Sequence, residues 1–262
     1  MKLCVIGNSH AGMLVRAARE APPEGVELTF FARSGRGPEG VRMRNGQLRA
    51  VTAELKRALA RFGMPESVDL RAQDAFVLVG MTATVFSVLP MLQGHRVFGW
   101  PPEAGDGARR LVSEAALEAA LVAEIAGGLA AEYVARIRRV SAAPIVLVAQ
   151  PAPSEAAAGA GARHGGLRRI LRAGQGAAVA ACLARAHARV FDGAGLHLLA
   201  QPPETLVGDA FTAASWMRGA GRLNPEGRLP DEDILHANAA YGGLVLDRVL
   251  SDLRKIVAKS DG

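Results

Sequence analysis

Hydrophobic and polar residues along this chain follow two periods in turn, one typical of buried strands and one typical of amphipathic helices. Short runs rich in Val, Ile, Leu and Phe, bounded by glycine, proline or polar residues, predict strands. The run at 75–79 is apolar at every position, as in a strand buried on both faces of a parallel sheet. The predicted strands span residues 2–6, 26–31, 75–79, 144–149 and 196–200.

Between the predicted strands, apolar residues recur at helical spacing. One predicted helix, ending before Gly63, rests on a single series at this spacing: Leu48, Val51, Leu55, Leu59 and Phe62. The other predicted helices span residues 10–20, 111–125, 129–140, 167–191 and 237–255. Gly174 and Gly176 predict a break inside the fourth of these, because glycine disfavours a helix interior.

Three stretches without a sustained period are predicted as loops. Residues 33–40 are punctuated by glycine, residues 151–166 read as a mobile surface loop rich in Ala and Gly, and residues 201–233 form a long irregular connection. Alternating strands and helices predict an α/β fold, a three-layer α/β/α sandwich with a central parallel sheet of about five strands. One such domain accommodates residues 1–262, and its ligand site is expected at the carboxyl ends of the strands.

The composition is that of a globular protein, and it narrows the classes of partner. Hydrophobic residues make up 50% of the chain and charged residues 21%, which excludes a disordered chain. The formal charge of +6 comes from arginines scattered along the sequence. Aromatic residues are few and are not interleaved with basic ones, as they are in proteins that stack single-stranded nucleic acid. We therefore expect no nucleic-acid partner.

The N-terminus and the two cysteines favour a cytoplasmic protein. The segment after Met1 lacks the long apolar region and the cleavage site of a signal peptide, and no run reaches transmembrane length. Cys4 lies in a predicted strand and Cys182 in a predicted helix, so both are expected to be buried free thiols. We expect a chain that starts at Met1, with no membrane partner.

The first candidate motif is Gly7-Asn8-Ser9, where the first predicted strand turns into a helix. Free backbone N–H groups and the positive end of the helix dipole favour an oxyanion at such a position, which suits a nucleophilic serine. Ser9 is equally acceptable as a helix cap. A phosphate-binding P-loop is excluded because Met13 stands where its lysine must be, and Ser9 occupies the second glycine of a dinucleotide fingerprint.

The second candidate motif is Asp233 followed three residues later by His236, just before the last predicted helix. This spacing can direct both side chains to one side, so that the carboxylate orients the imidazole and stabilises its cation. The alternative is that Asp233 caps the helix and His236 is an ordinary first-turn residue.

In chain order and separation the two motifs resemble the SGNH family, also called GDSL esterases and lipases. The resemblance implies Ser9 as nucleophile, His236 as base and Asp233 as its acid, with Asn8 in place of the more usual Asp. It also implies a second oxyanion donor at Gly35, with Gly37 as the alternative, and a third donor in a GxN block. That block here reads Gly80-Met81-Thr82, so the family Asn is replaced by the shorter Thr82.

The resemblance implies an acyl-ester hydrolase that acts on a small O-acyl ester of a sugar or another alcohol. There are two alternatives: an acyltransferase with the same triad, and a binding protein that keeps the fold without turnover. The missing Asn favours the binding protein. We assign no metal and no cofactor, because no cluster of ligating residues has metal-site spacing. His10, Trp216 and Arg218 are weaker candidates for the lining of the site, with packing or solvation as the simpler explanation.

Overall fold

The computed structural model describes residues 1–262 except 103–105, 160–163, 194, 209, 224–226, 228, 231–232 and 261–262. Its strands, in chain order, are β1 (Lys2–Gly7), β2 (Glu27–Ala32), β3 (Val41–Arg44), β4 (Gln47–Ala50), β5 (Ser67–Asp69), β6 (Ala75–Val79), β7 (His95–Val97), β8 (Arg110–Val112), β9 (Ile145–Val148), β10 (Leu196–Leu199), β11 (Leu206–Val207) and β12 (Phe211–Thr212).

The helices lie between these strands and after the last of them. In chain order they are α1 (Gly12–Glu20), α2 (Ala53–Arg61), α3 (Val85–Gly94), α4 (Glu114–Ala126), α5 (Leu129–Arg138), α6 (Gly165–Arg172), α7 (Gly176–Phe191) and α8 (Ala239–Ser260). The break predicted near Gly174 and Gly176 is present between α6 and α7. None of the described helices is both long enough and apolar enough to cross a membrane.

Five strands form the central sheet in the order β10-β9-β6-β1-β2, and all of its pairings are parallel. The predicted α/β fold with about five parallel strands is therefore confirmed. Counted along the chain, this order is 2-1-3-4-5, and the direction of winding reverses between β1 and β6. Ligands of open α/β sheets bind at the carboxyl ends of the strands at such a reversal.

Helices cover both faces of the sheet and give it three layers. Helix α1 packs against α8, and α4 packs against α7. Every residue of β6 and β9 is buried, and β1 is buried after its first residue. The apolar run at 75–79 thus forms a strand covered on both faces, as its composition predicts. The two cysteines are buried free thiols, and burial raises the pKa of the Cys4 thiol to about 12.

The helix predicted from the series at 48–62 is wrong over its first turn. Leu48 lies in β4, which pairs antiparallel with β3, and the helix α2 begins only after Thr52. The turn between the two strands is Asn45-Gly46, and both residues have positive φ. Asn and Gly tolerate this conformation, so Asn-Gly favours a tight hairpin. Leu48 is a buried residue of strand β4, so its helical spacing to the residues that follow does not indicate a helix.

The helix predicted at 111–125 also begins later than expected. Residues 110–112 form β8, which pairs in parallel with β7. The side chain of Ser113 then accepts a hydrogen bond of 3.1 Å from the N–H of Ala116 and caps α4. The serine cap fixes where the helix starts, and the apolar residues before it belong to a short strand.

The prediction of a mobile surface loop at 151–166 is wrong for its first half. Ser154 is buried and forms a bridge with Thr212, and its N–H donates to the carbonyl of Ile234 at 2.8 Å. Ala157 belongs to a second hydrophobic cluster. The small side chains that resemble a flexible linker let this segment pack closely against its neighbours. Residues 160–163 of the predicted loop lie outside the described residues.

Candidate active site

A sharp turn after β1 places Ser9 at the carboxyl edge of the central sheet. The N–H of Asn8 donates to the carbonyl of Val79 at the end of β6 (3.2 Å), and Oδ1 of Asn8 accepts from the N–H of His10 (3.0 Å). Ser9 begins a short 3-10 turn that runs directly into α1. A Cβ at Gly7 would lie 3.0 Å from atoms of Val79, so the close approach of the two strand ends favours glycine there.

Asp233 and His236 lie in the loop that precedes α8. Asp233 does not cap this helix, because the side chain of Asn238 accepts from the N–H of Tyr241 (3.1 Å) at its first turn. Oδ1 of Asp233 accepts instead from the N–H groups of Leu235 and His236, both at 2.8 Å. These two bonds fold the segment into a turn that brings the carboxylate next to the imidazole.

The structure brings the three predicted catalytic side chains into hydrogen-bond contact. Nε2 of His236 lies 3.0 Å from Oγ of Ser9, although the two residues are 227 positions apart. Nδ1 of the same ring lies 3.1 and 3.2 Å from the two carboxylate oxygens of Asp233. The contact forms at the reversal of winding between β1 and β6, where the topology places a ligand site.

The protonation of these groups follows from the surroundings of Asp233. Burial raises the pKa of this carboxyl, but hydrogen bonds from the His236 ring and from the N–H groups of His236 and Leu235 outweigh burial and lower it to about 2. The carboxylate is therefore charged at neutral pH and can only accept hydrogen bonds. Nδ1 of His236 must carry the proton, which leaves Nε2 to accept from the hydroxyl of Ser9.

Comparisons of the chain with protein-family models, with curated proteins and with solved structures found no match. The chemistry open to this site therefore follows from the arrangement of its side chains. Within the described residues, no group of three or more His, Cys, Asp and Glu side chains could hold a metal ion.

His10 is stacked on the imidazole of His236, a contact that spacing alone did not predict. The ring centroids are 4.7 Å apart and the planes meet at 15°. His10 is buried, and its Nδ1 has no hydrogen-bond partner. Burial and the neighbouring His236 lower the pKa of His10 to about 3, against opposing effects of Asp233 and of a side-chain hydrogen bond with Gln150. His10 is therefore a neutral ring that packs against the imidazole of His236, the candidate base.

Thr82, which stands in place of the family Asn, is hydrogen-bonded to a second buried histidine. Its Oγ1 lies 3.0 Å from Nε2 of His187, and Nδ1 of His187 lies 2.8 Å from the carbonyl of Leu183. Burial lowers the pKa of His187, although bonds to the backbone of Leu183 and Ala83 oppose the change. The neutral ring must donate from Nδ1 to the carbonyl, so Nε2 accepts the proton of Thr82.

Gly80 and Asn8, two further predicted site residues, contact each other at the ends of β6 and β1. Gly80 has a φ of +64°, and a Cβ added there would lie 2.5 Å from Oδ1 of Asn8. Met81 follows with a φ of +59°, which is unusual for a residue other than glycine. Gly80 is thus required for the close approach of the Asn8 side chain, and Asn8 holds the turn that carries Ser9.

The structure places the two glycine candidates after β2 in different surroundings. Gly35 lies on an exposed turn with a φ of +84°, and a Cβ added there would meet nothing within 4 Å. Gly37 is buried, and a Cβ there would lie 2.8 Å from Sδ of Met81. Sequence reasoning favours Gly35, but Gly37 is the glycine that packs against the segment after β6.

Of the weaker candidates, Trp216 is partly buried against the main hydrophobic core and Arg218 is exposed. Asn238 donates from Nδ2 to the carbonyls of Ser215 and Arg218 and from its N–H to the carbonyl of Trp216 (2.8 Å), which ties the start of α8 to residues 214–218. Sequence reasoning missed Gln150 and His187. Gln150 had a usable signal, because it is a polar residue two positions after β9, a strand of the central sheet.

Proposed function

We propose that the protein is a serine-dependent acyl-ester hydrolase that acts on a small O-acyl ester. Ser9 is the nucleophile, His236 is the general base and acid, and Asp233 orients the imidazole. The observation that carries the proposal is the continuous series of hydrogen bonds from Asp233 through His236 to Oγ of Ser9. A serine hydroxyl is a weak nucleophile alone, and an adjacent oriented base activates it.

The proposed reaction has two steps. Oγ of Ser9 attacks the ester carbonyl carbon while Nε2 of His236 takes the hydroxyl proton, and the same proton then goes to the departing alkoxide. This gives an acyl-enzyme and a free alcohol. Water then attacks the acyl carbon, gives its proton to His236 and releases the acid, and the proton returns to Ser9. The charged Asp233 stabilises the imidazolium that forms in each step.

The backbone N–H of Ser9 is the proposed donor to the oxyanion. Within the part of the chain that the structure describes, this N–H has no hydrogen-bond acceptor of its own. It lies at the start of the helical segment that continues into α1, where the helix dipole favours negative charge. Thr82 is not assigned this role, because its Oγ1 is already hydrogen-bonded to Nε2 of His187. The resemblance to SGNH hydrolases in chain order adds support from the sequence.

Hydrolysis of p-nitrophenyl acetate tests the proposal. We expect turnover by the wild-type protein and its loss in Ser9→Ala, because no other group in the described site is aligned with His236. Ser251→Ala is the matched control, since Ser251 is exposed on α8. Equal rates for Ser9→Ala and the wild type would remove Ser9 from the mechanism.

Product analysis shows whether water or an alcohol accepts the acyl group. Reactions run with added glycerol would give acetic acid from a hydrolase and glyceryl acetate from an acyltransferase, since both pass through the same acyl-enzyme. No turnover of any short acyl ester, with the fold intact by circular dichroism, would contradict catalysis. That result would favour a binding protein that keeps the triad without using it.

A further inference from the structure

A pocket of about 440 Å³ opens between α7 and the carboxyl ends of β9 and β10. The start of α3 and residues 149–153 complete its wall. Its volume lies within the range of about 300–1,000 Å³ that is usual for small-molecule sites.

The wall of this pocket is mostly aliphatic, and two of its polar side chains, Gln201 and His187, already have hydrogen-bond partners. Nε2 of Gln201 donates to Thr205 and Thr212 (3.1 and 2.9 Å), and its Oε1 accepts from the N–H of Ala152 (2.8 Å). Both ring nitrogens of His187 also have partners. A ligand that entered with polar groups would lose their bonds to water and find few replacements, so the wall selects an apolar occupant.

Two contacts connect the pocket to the candidate active site. Gln150 lines the pocket and is hydrogen-bonded to His10, whose ring is stacked on His236. On the other side, His187 lines the pocket and holds Thr82, two residues after Gly80. The pocket therefore shares its wall with the side chains that support the triad.

We propose that this pocket binds the linear aliphatic chain of the ester whose carbonyl Ser9 attacks. The inference rests on the proposed function and names the substrate class, a medium-chain aliphatic ester. The chain belongs either to the acyl group or to the alcohol, because both emerge from the same ester bond. Its methylenes leave water for a mostly apolar wall, which favours longer chains.

Chain-length series test the proposal in the wild-type protein. The acyl arm uses p-nitrophenyl esters from acetate to octanoate, and the alcohol arm uses acetates from ethyl to octyl. In one arm we expect kcat/KM to rise about fourfold with each added methylene, the gain that burial of a methylene supplies. The arm that shows the rise identifies which part of the ester enters the pocket. Flat or falling series in both arms would overturn the proposal.

A bulky residue in the pocket should remove this preference. Ala180 lines the pocket, whereas Ala188 lies exposed on the same helix outside it. In the arm that shows the rise, we expect Ala180→Phe to lower the ratio of kcat/KM between the longest and the shortest ester at least tenfold, about two buried methylenes or more, and Ala188→Phe to keep the wild-type ratio. Ala184→Phe, at a second lining position, replaces Ala180→Phe if that variant does not fold. An unchanged ratio in a folded pocket variant would contradict the assignment.

Binding of octanoate to Ser9→Ala protein separates this inference from the proposed function. Calorimetry should show saturable binding to Ser9→Ala and to its double variant with Ala188→Phe, and binding at least tenfold weaker with Ala180→Phe. If the wild type hydrolyses no ester while this pattern holds, the hydrolase is wrong and the aliphatic site stands. If octanoate does not bind, or binds regardless of Ala180→Phe, the pocket is not an aliphatic site.

Discussion

Two histidines in the described residues are each 3.0 Å from a hydroxyl through Nε2, and only one of them is suited to catalysis. His236 contacts Ser9, and His187 contacts Thr82. The partner of Nδ1 differs, because His236 donates to the carboxylate of Asp233 and His187 donates to the backbone carbonyl of Leu183. In this arrangement both rings carry a proton on Nδ1, and their hydrogen-bond distances to the hydroxyl oxygens are the same.

The difference shows that the partner of Nδ1 decides what the hydroxyl can do. A carboxylate stabilises the imidazolium that forms when Nε2 takes a proton, and Asp233 stays charged because its pKa is lowered to about 2. A carbonyl inside α7 carries no full charge, and burial lowers the pKa of His187. The His236 region can therefore accept a proton from its hydroxyl, whereas the His187 region holds its hydroxyl in place.

The largest expected effect comes from replacing each histidine by glutamine. His236→Gln removes the proposed base and should lower kcat for p-nitrophenyl acetate by at least about 10⁴-fold. His187→Gln keeps a polar side chain near Thr82 and should lower kcat by less than about tenfold, since it touches no reacting atom. Comparable losses in the two variants would mean that the comparison fails.

Asp233→Asn should give the next largest effect. It replaces the carboxylate beside His236 by a neutral amide, so that Nδ1 has an uncharged partner as it does in His187, where the partner is the carbonyl of Leu183. We expect kcat to fall by roughly 10³- to 10⁴-fold with little change in KM, since the imidazolium loses its counter-charge. Steady-state kinetics measure both constants. A rise in KM with kcat unchanged would assign Asp233 to substrate binding instead.

Thr82→Val tests the opposite side of the comparison. The variant removes the hydroxyl and leaves the buried Nε2 of His187 without a donor, so the free energy of unfolding should fall by about 1–3 kcal/mol in urea titrations. Turnover should change by less than about threefold, far below the roughly 100- to 1000-fold expected for loss of an oxyanion donor. A loss of turnover on that larger scale would place Thr82 at the oxyanion after all.

The smallest effect concerns the stability of the stack between His10 and His236. The pKa of His10 is lowered from 6.5 to about 3 by folding, so the unfolded chain binds more protons between these values. The neutral His10 ring therefore lowers the free energy of unfolding by nothing above pH 6.5. As the pH falls from 6.5 toward 3, the free energy of unfolding decreases. Between pH 7.5 and 5 the wild type should lose on the order of 2 kcal/mol more unfolding free energy than His10→Phe. Equal losses would show that His10 is not held neutral.

Much of the fold was predictable from the sequence because its central strands are short, almost wholly apolar and flanked by glycine or proline. The secondary-structure prediction failed where a strand residue also stood at helical spacing from the residues that follow it. The Leu48 series fits a helix, but Asn45-Gly46 turns the chain into a hairpin and Thr52 starts the helix later. Residues 151–159 were mistaken for a mobile loop, because composition does not show that small side chains pack against β12.

The candidate site was predictable only in part. Ser9, Asp233 and His236 carry a local signal, since each follows or precedes a predicted element at the sheet edge. His187 gives no such signal, because it lies in the middle of α7 and meets Thr82 only through the packing of that helix. The stack of His10 on His236 likewise depends on a contact between the two ends of the chain. Such long-range side-chain partners do not follow from spacing.

The most direct test of the central claim is reaction of the protein with a fluorophosphonate, followed by peptide mass spectrometry. The account predicts one covalent adduct on Ser9, because the probe reacts with a serine that has an aligned base. His236→Gln should slow labelling sharply, whereas His187→Gln and Thr82→Val should label at nearly the wild-type rate. Absence of the Ser9 adduct from folded wild-type protein, or equal labelling of the His236→Gln variant, would contradict the account.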